Sequence, residues 1–166
     1  MTPTGPCING SPGKDGTRGL DGTKAVNLFL YLQKVVIKGQ LIIDLSGGHG
    51  GIGGNGGNGG GGSPGTRHCN GGNGANGGTA GQGGNGGKGG TLNVTLPTPQ
   101  DFRDFVLANK IVVKNMGGNA GPSGKGGYHG SAGLGPSKKN GKDGEPGPYN
   151  SSGISGENGS LFVQAN

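Results

Sequence analysis

From Gly47 to Gly89 every third position is glycine in 13 of 15 cases, and only His68 and Ala80 break the rule. A second frame, starting at Gly48, is glycine in 11 of 15, and its exceptions, Ser63, Thr66, Cys69 and Ala75, are all small. The third frame carries the side chains, including Asn55, Asn58, Asn70, Asn73, Asn76 and Asn85. Three residues per turn is the period of the polyproline II helix, and glycine at every turn is the demand made by close backbone packing. Looser versions flank this array. Gly10, Gly13, Gly16, Gly19 and Gly22 keep the spacing near the N-terminus. Gly118 to Gly133 hold one register, which slips at Leu134 into a frame containing Gly135, Gly141, Gly144 and Gly147.

Composition then removes the common alternative. Glycine makes up 47 of 166 residues, only 27% are hydrophobic, and there is no tryptophan. Such a chain cannot bury the apolar area that normally offsets conformational entropy, which excludes an ordinary globular enzyme fold. A collagen triple helix would fit the N-terminal GSPGKDGTRGLDG, but 10 prolines are few for collagen, and about five triplets are too short to hold three chains. The other solution is a set of short polyglycine II helices from one chain that exchange backbone hydrogen bonds. Because glycine loses the most freedom on ordering, that arrangement needs an anchor.

The non-glycine segments supply one. Strand-like apolar runs fall at Leu28–Leu32, Lys34–Ile37, Leu41–Leu45, Thr91–Leu96, Lys110–Met116 and Ser160–Gln164. Pro99–Asn109 reads as one short helix, with Asp101 and Asp104 near its N-terminal end as a charge pattern suited to the helix dipole. Strand, glycine array and strand recur twice, and turns are expected at Ser63–Cys69 and near Gly135–Asn140. The expected fold class is therefore a mostly irregular, polyglycine II helical bundle with a small β-strand layer and little α-helix. Three regions follow: a collagen-like Gly-x-x segment over 1–24, strands with the first Gly-Gly-x array over 25–96, and a short helix, strand, second array and closing strand over 97–166.

The runs GGHGGIGGNGGNGGGG and GGNGANGGTAGQGGNGGKGG resemble glycine-rich polyglycine II proteins. These include springtail antifreeze proteins, the adhesins at phage tail-fibre tips, and the glycine-rich domain of certain receptor tyrosine kinases. The antifreeze resemblance implies an ice face of small outward residues, whereas the variable frame here is dominated by asparagine, with His49, Arg67, Gln82 and Lys88 among it. The adhesin resemblance implies recognition by loops, matched here by Ser63–Cys69 and Tyr128–His129.

Cys7 and Cys69 are the only cysteines, and they read either as one disulfide or as two free thiols. His49, His68 and His129 share no zinc-like spacing with them, so no metal and no cofactor is expected. Four Gly-Lys pairs lack the leading glycine and the following Ser or Thr of a phosphate loop, and no nucleophile stands at a suggestive spacing from a base. No catalytic residue is assigned. The asparagines are expected to face mostly solvent, and Arg67, His68, Tyr128, His129 and Tyr149 are the candidate loop contacts. The formal charge of +6 is dispersed and not interleaved with aromatics, which argues against nucleic acid as a partner.

The start at Met1 shows no secretory signal, and no stretch has the length of a membrane span. An extracellular, virion or cell-surface location is expected. The functional expectation is a non-enzymatic structural or surface-recognition module that self-associates or binds a surface glycan or protein. Ice binding and a collagen-like trimeric fibre are the alternatives.

Overall fold

The computed structural model describes residues 5–166, so the reading of the first residues at Met1 lies outside the described part. Five short strands form: β1 (Leu28–Tyr31), β2 (Leu41–Asp44), β3 (Leu92–Thr95), β4 (Ile111–Lys114) and β5 (Leu161–Gln164). One helix, α1 (Pro99–Leu107), lies between β3 and β4. The strands make two sheets, β1-β3-β5 and β2-β4, and every pair is parallel. Parallel neighbours need long crossovers, and here the crossovers are the glycine-rich stretches.

The fold class inferred from the sequence is corrected by this arrangement. The regular structure is not one small β layer attached to a mostly irregular polyglycine II bundle. It is two parallel sheets and a nine-residue helix. The N-terminal Gly-x-x segment is tied within the chain, the amides of Gly10, Gly13 and Gly16 donating to the carbonyls of Asn73, Asn76 and Thr79. The run at Lys34–Ile37 forms no strand.

Two compact units interleave along the chain. One comprises Asp21–Gly50, Asn85–Ala120 and Ile154–Asn166 and contains both sheets and the helix. Its core is Leu45, Leu92, Leu96, Val94, Phe102 and Ile111. Leu92 and Val94 alternate with half-buried residues on β3, the central strand of its sheet, so that strand is the most enclosed. Helix α1 starts on Pro99, whose missing N–H costs nothing at the first helical position, and Asp101 lies in its first turn. It stops at Ala108, followed by Asn109 in the left-handed region at φ 55. Within this unit the strands keep the register of the glycine pieces beside them: Gly22, Ala25, Leu28 and Leu32 donate in turn to Asn85, Lys88, Thr91 and Thr95.

The other unit comprises the described part of Met1–Leu20 together with Gly51–Gly84 and Gly121–Gly153. Among its described residues Ala80 is the one buried hydrophobic. Backbone takes the place of side chains here. Gly13, Gly16 and Gly19 donate to Asn76, Thr79 and Gln82, with partner numbers rising together, so these pieces run parallel. Gly54, Gly57 and Gly60 donate to Thr17, Lys14 and Ser11, with numbers running oppositely, so those pieces are antiparallel. In the first of these pieces one amide in three is tied across, and in Gly51–Gly62 two in three are, Gly53, Gly56 and Gly59 donating to Pro122, Lys125 and Tyr128 as well, which satisfies buried peptide groups without a strand ladder. The approach is close enough that a Cβ on Gly78 would fall onto the Lys14 carbonyl, and one on Gly127 onto that of Gly57.

The asparagines have a structural task beyond facing solvent. Asn55 Oδ1 accepts the Lys125 amide at 2.8 Å while the next amide, Gly56, donates to the Lys125 carbonyl. Asn58 and Gly59 hold Tyr128 in the same way, Asn73 and Gly74 hold Lys142, and Asn76 and Gly77 hold Glu145. In each case one Asn-Gly pair clamps both peptide groups of a single residue on a parallel neighbour. Asp15 with Gly16 does this to Thr79, and in the other unit Asn85 with Gly86 does it to Ile154. The expectation of mostly solvent-facing asparagines holds for their exposure, and the exposed side chains of Asn55, Asn58, Asn73 and Asn76 also accept backbone amides through their oxygens.

Cys7 and Cys69 form a disulfide, which settles the alternative left open by the sequence, with Cα atoms 6.1 Å apart across 62 residues. Both cysteines belong to the unit without an apolar core.

Candidate functional site

Two of the five candidate contact residues meet in one place. Tyr128 and Tyr149 line a cleft of about 190 Å³ together with Asn55, Asn58, Lys125 and the backbone of Gly56 and Gly126. The Asn-Gly clamps explain why the cleft has fixed walls. They pin both peptide groups of Lys125 and of Tyr128, three residues apart, so the two side chains leave one edge of the same segment. The Tyr149 wall is held on either side: the Gly147 amide donates to Gly127, the Pro148 carbonyl accepts from Ala80, and Asn150 Nδ2 donates to the Ala80 carbonyl at 3.2 Å. A Cβ on Gly126 would fall onto the Gly147 carbonyl, so glycine there permits the approach that puts both rings on one cleft.

The rings themselves are open, with Tyr128 78% and Tyr149 79% exposed. The lining contains no carboxylate, imidazole or thiol. What it offers is two aromatic faces, two phenol hydroxyls, two carboxamides whose oxygens already accept a bond, and one ammonium group.

Arg67 and His68 lie elsewhere, at the tip of a tight turn closed by the Thr66–Cys69 bridge. Arg67 Nε donates to His68 Nε2 at 2.9 Å, and the His68 amide donates to Thr66 Oγ1. His129 is next to Tyr128 in sequence but does not line the cleft; its Nδ1 lies 3.4 Å from the Gly130 carbonyl. Lys125, Asn55 and Asn58 were not among the sequence candidates. The signal for them was the constant separation of 70 residues between Asn55 and Lys125 and between Asn58 and Tyr128, legible only once the parallel register is known.

Two further clefts lie in the unit with the apolar core. One, of about 350 Å³, is lined by Val35, Asp101, Asp104, Phe105, Ala108 and Lys110. Asp104 there accepts from Gln100 at 2.7 Å, and the Lys110 ammonium sits 5.8 Å from the centre of the Phe105 ring. The other, of about 280 Å³, is an apolar groove between α1 and β5. Among the described residues no group of three or more His, Cys, Asp or Glu side chains could hold a metal ion, and no helix is long and apolar enough to cross a membrane.

No family model and no curated protein matches this chain. Among solved structures, the chain is similar to the nine polyproline type II helical bundle springtail antifreeze protein from Granisotoma rainieri, at 25% identity over 90% of this chain and 98% of that one. The TM-score is 0.14, which carries no argument about fold or function.

Proposed function

We propose that this protein is a non-enzymatic surface-recognition module that binds a surface glycan or protein through the Tyr128–Tyr149 cleft. The observation that supports the reading is the convergence of two exposed tyrosines and a lysine, from segments fixed by backbone hydrogen bonds, on one cleft. Exposed tyrosines give large contact area at little entropic cost, and a cleft whose walls are already fixed loses little freedom on binding. The lining holds no carboxylate, imidazole or thiol beside its phenols and ammonium group. A disulfide in a unit with little apolar core fits an oxidising compartment, in keeping with a surface location.

Strand-edge assembly, the other form of the proposal, has less support at β5, where the Arg103 guanidinium donates to the Val163 carbonyl and α1 packs alongside. The test is a glycan and protein array probed with the oxidised chain and with a Tyr128→Ala/Tyr149→Ala double variant. The reading expects array binding that the double variant loses while its thermal midpoint stays within a few degrees. Ligands retained by the double variant would move recognition away from this cleft.

A further inference from the structure

Resting on that reading, we infer that the cleft takes an anionic saccharide, one sugar ring carrying a carboxylate, as in a uronic acid residue of a surface glycan. Size comes first. At about 190 Å³ the cleft is below the roughly 300–1,000 Å³ of sites that enclose drug-sized ligands, so it accommodates one ring of a longer chain that continues into solvent.

Chemistry narrows the class further. Asn55 Oδ1 and Asn58 Oδ1 are each occupied by a backbone amide, which leaves their Nδ2 groups as donors. The peptide carbonyls of Lys125 and Tyr128 are likewise occupied, by Gly56 and Gly59. Lys125 Nζ only donates. The clamps that build the walls therefore occupy one acceptor position on each carboxamide and leave its Nδ2 to donate, and the lining adds two phenol hydroxyls, which donate or accept, together with a positive charge and no negative one. The complementary ligand is rich in acceptors and negatively charged, and it must also present flat C–H faces to two tyrosine rings. A hexuronate ring has all three properties. A peptide carboxylate lacks the flat C–H face, and an inorganic anion lacks it as well.

The experiment uses the full oxidised chain and isothermal titration at low salt with two probes, tri-galacturonic acid and the neutral galactotriose. The acidic trisaccharide is expected to bind about tenfold or more tightly than the neutral one, the difference of one hydrogen bond to a charged group. Lys125→Gln is expected to weaken the acidic probe by about tenfold and so remove most of that advantage, with a smaller loss for the neutral probe, and raising the salt should weaken the acidic probe selectively. Tyr128→Ala and Tyr149→Ala should weaken both probes. Both variants retain the backbone clamps, and hydrogen-exchange protection of the Gly56 and Gly59 amides checks that they fold.

Equal affinity for the two trisaccharides, with tyrosine dependence, overturns the anionic class and leaves the recognition reading standing. Binding indifferent to both tyrosines overturns the site and that reading together. Absence of binding by either trisaccharide overturns the saccharide assignment, and the array result above then bears on the recognition reading by itself.

Discussion

Gly78 has no room for a methyl group, since a Cβ there would land on the Lys14 carbonyl, itself the acceptor for the Gly57 amide. Backbone cannot swing aside as a flexible side chain would. Gly78→Ala is expected to lower stability by about 3 kcal/mol, the upper range for overpacking, as read by chemical denaturation. Gly39 is glycine for a different reason: its φ is 103 with nothing within 4 Å, so Gly39→Ala should cost only the backbone strain of about 1–2 kcal/mol. A larger loss at Gly39 than at Gly78 would contradict the packing account. At Asn58 the loss is the bond from the Tyr128 amide, so Asn58→Ala is expected to cost about 1 kcal/mol and to reduce protection of the Tyr128 amide.

Two carboxylates carry a pH signature at this scale. Glu157 lies below its ordinary value of 4.5 because Lys88 Nζ donates to it at 2.9 Å and adds its charge. Asp44 lies below 3.8 because the Ser46 hydroxyl and amide donate to it, with a smaller contribution from the Lys114 charge. For both, the folded state holds the proton less tightly than the unfolded state. Their contribution is therefore full above the unfolded values and is lost as pH falls through the folded ones. Both groups are exposed, so the effect is small. A thermal midpoint flat between about pH 5 and 7 that drops only at lower pH is the expected profile. Lys88→Met should flatten the Glu157 part of that drop.

At the scale of elements, local pattern located the pieces well. Apolar runs placed all five strands within a residue or two, and Pro99 with Asp101 placed the helix. Lys34–Ile37 shows the limit: its residues alternate between exposed and half-buried as a strand would, and Val35 and Ile37 pack on the core, yet it has no neighbour to pair with. Alternation reports a buried face, while a strand needs a partner, and here the partners lie far off in sequence. The parallel pairing was illegible for the same reason, since Leu28 meets Leu92 and Leu92 meets Leu161. The clamps were hidden too, because Asn-Gly reads as a turn dipeptide in isolation. The cleft inherits this: its tyrosines were visible as exposed aromatics, but their meeting depends on which segments lie side by side. The disulfide was legible only as one of two alternatives. It closes a loop of 62 residues, worth about 4 kcal/mol in the chain-entropy model. Cys7→Ser/Cys69→Ser should lower the stability of its own unit by a similar amount.

At the scale of the whole molecule, the two units rest on different forces. One has a conventional core around Leu92, Val94, Phe102 and Ile111. The other relies on amide–carbonyl bonds and one disulfide, since Ala80 is its one buried hydrophobic among the described residues. Net gain per backbone bond is small, so a staple matters more there. Reduction should loosen 51–84 and 121–153 while β3 and β4 keep their protection. Nearly all pairings are remote in sequence, so refolding should be slow for a chain of this size.

The glycine-rich stretches are a hydrogen-bonded scaffold, with one amide in three tied in the piece over 10–22 and at least two in three in the pieces over 50–62 and 71–90. Amide hydrogen exchange resolved by residue tests this most directly. The account predicts slow exchange at Gly13, Gly16, Gly54, Gly57, Gly78 and Gly81, with Lys14 and Asp15 between them exchanging much faster. Uniformly fast exchange through these stretches, at the rate of an unfolded chain, would contradict it.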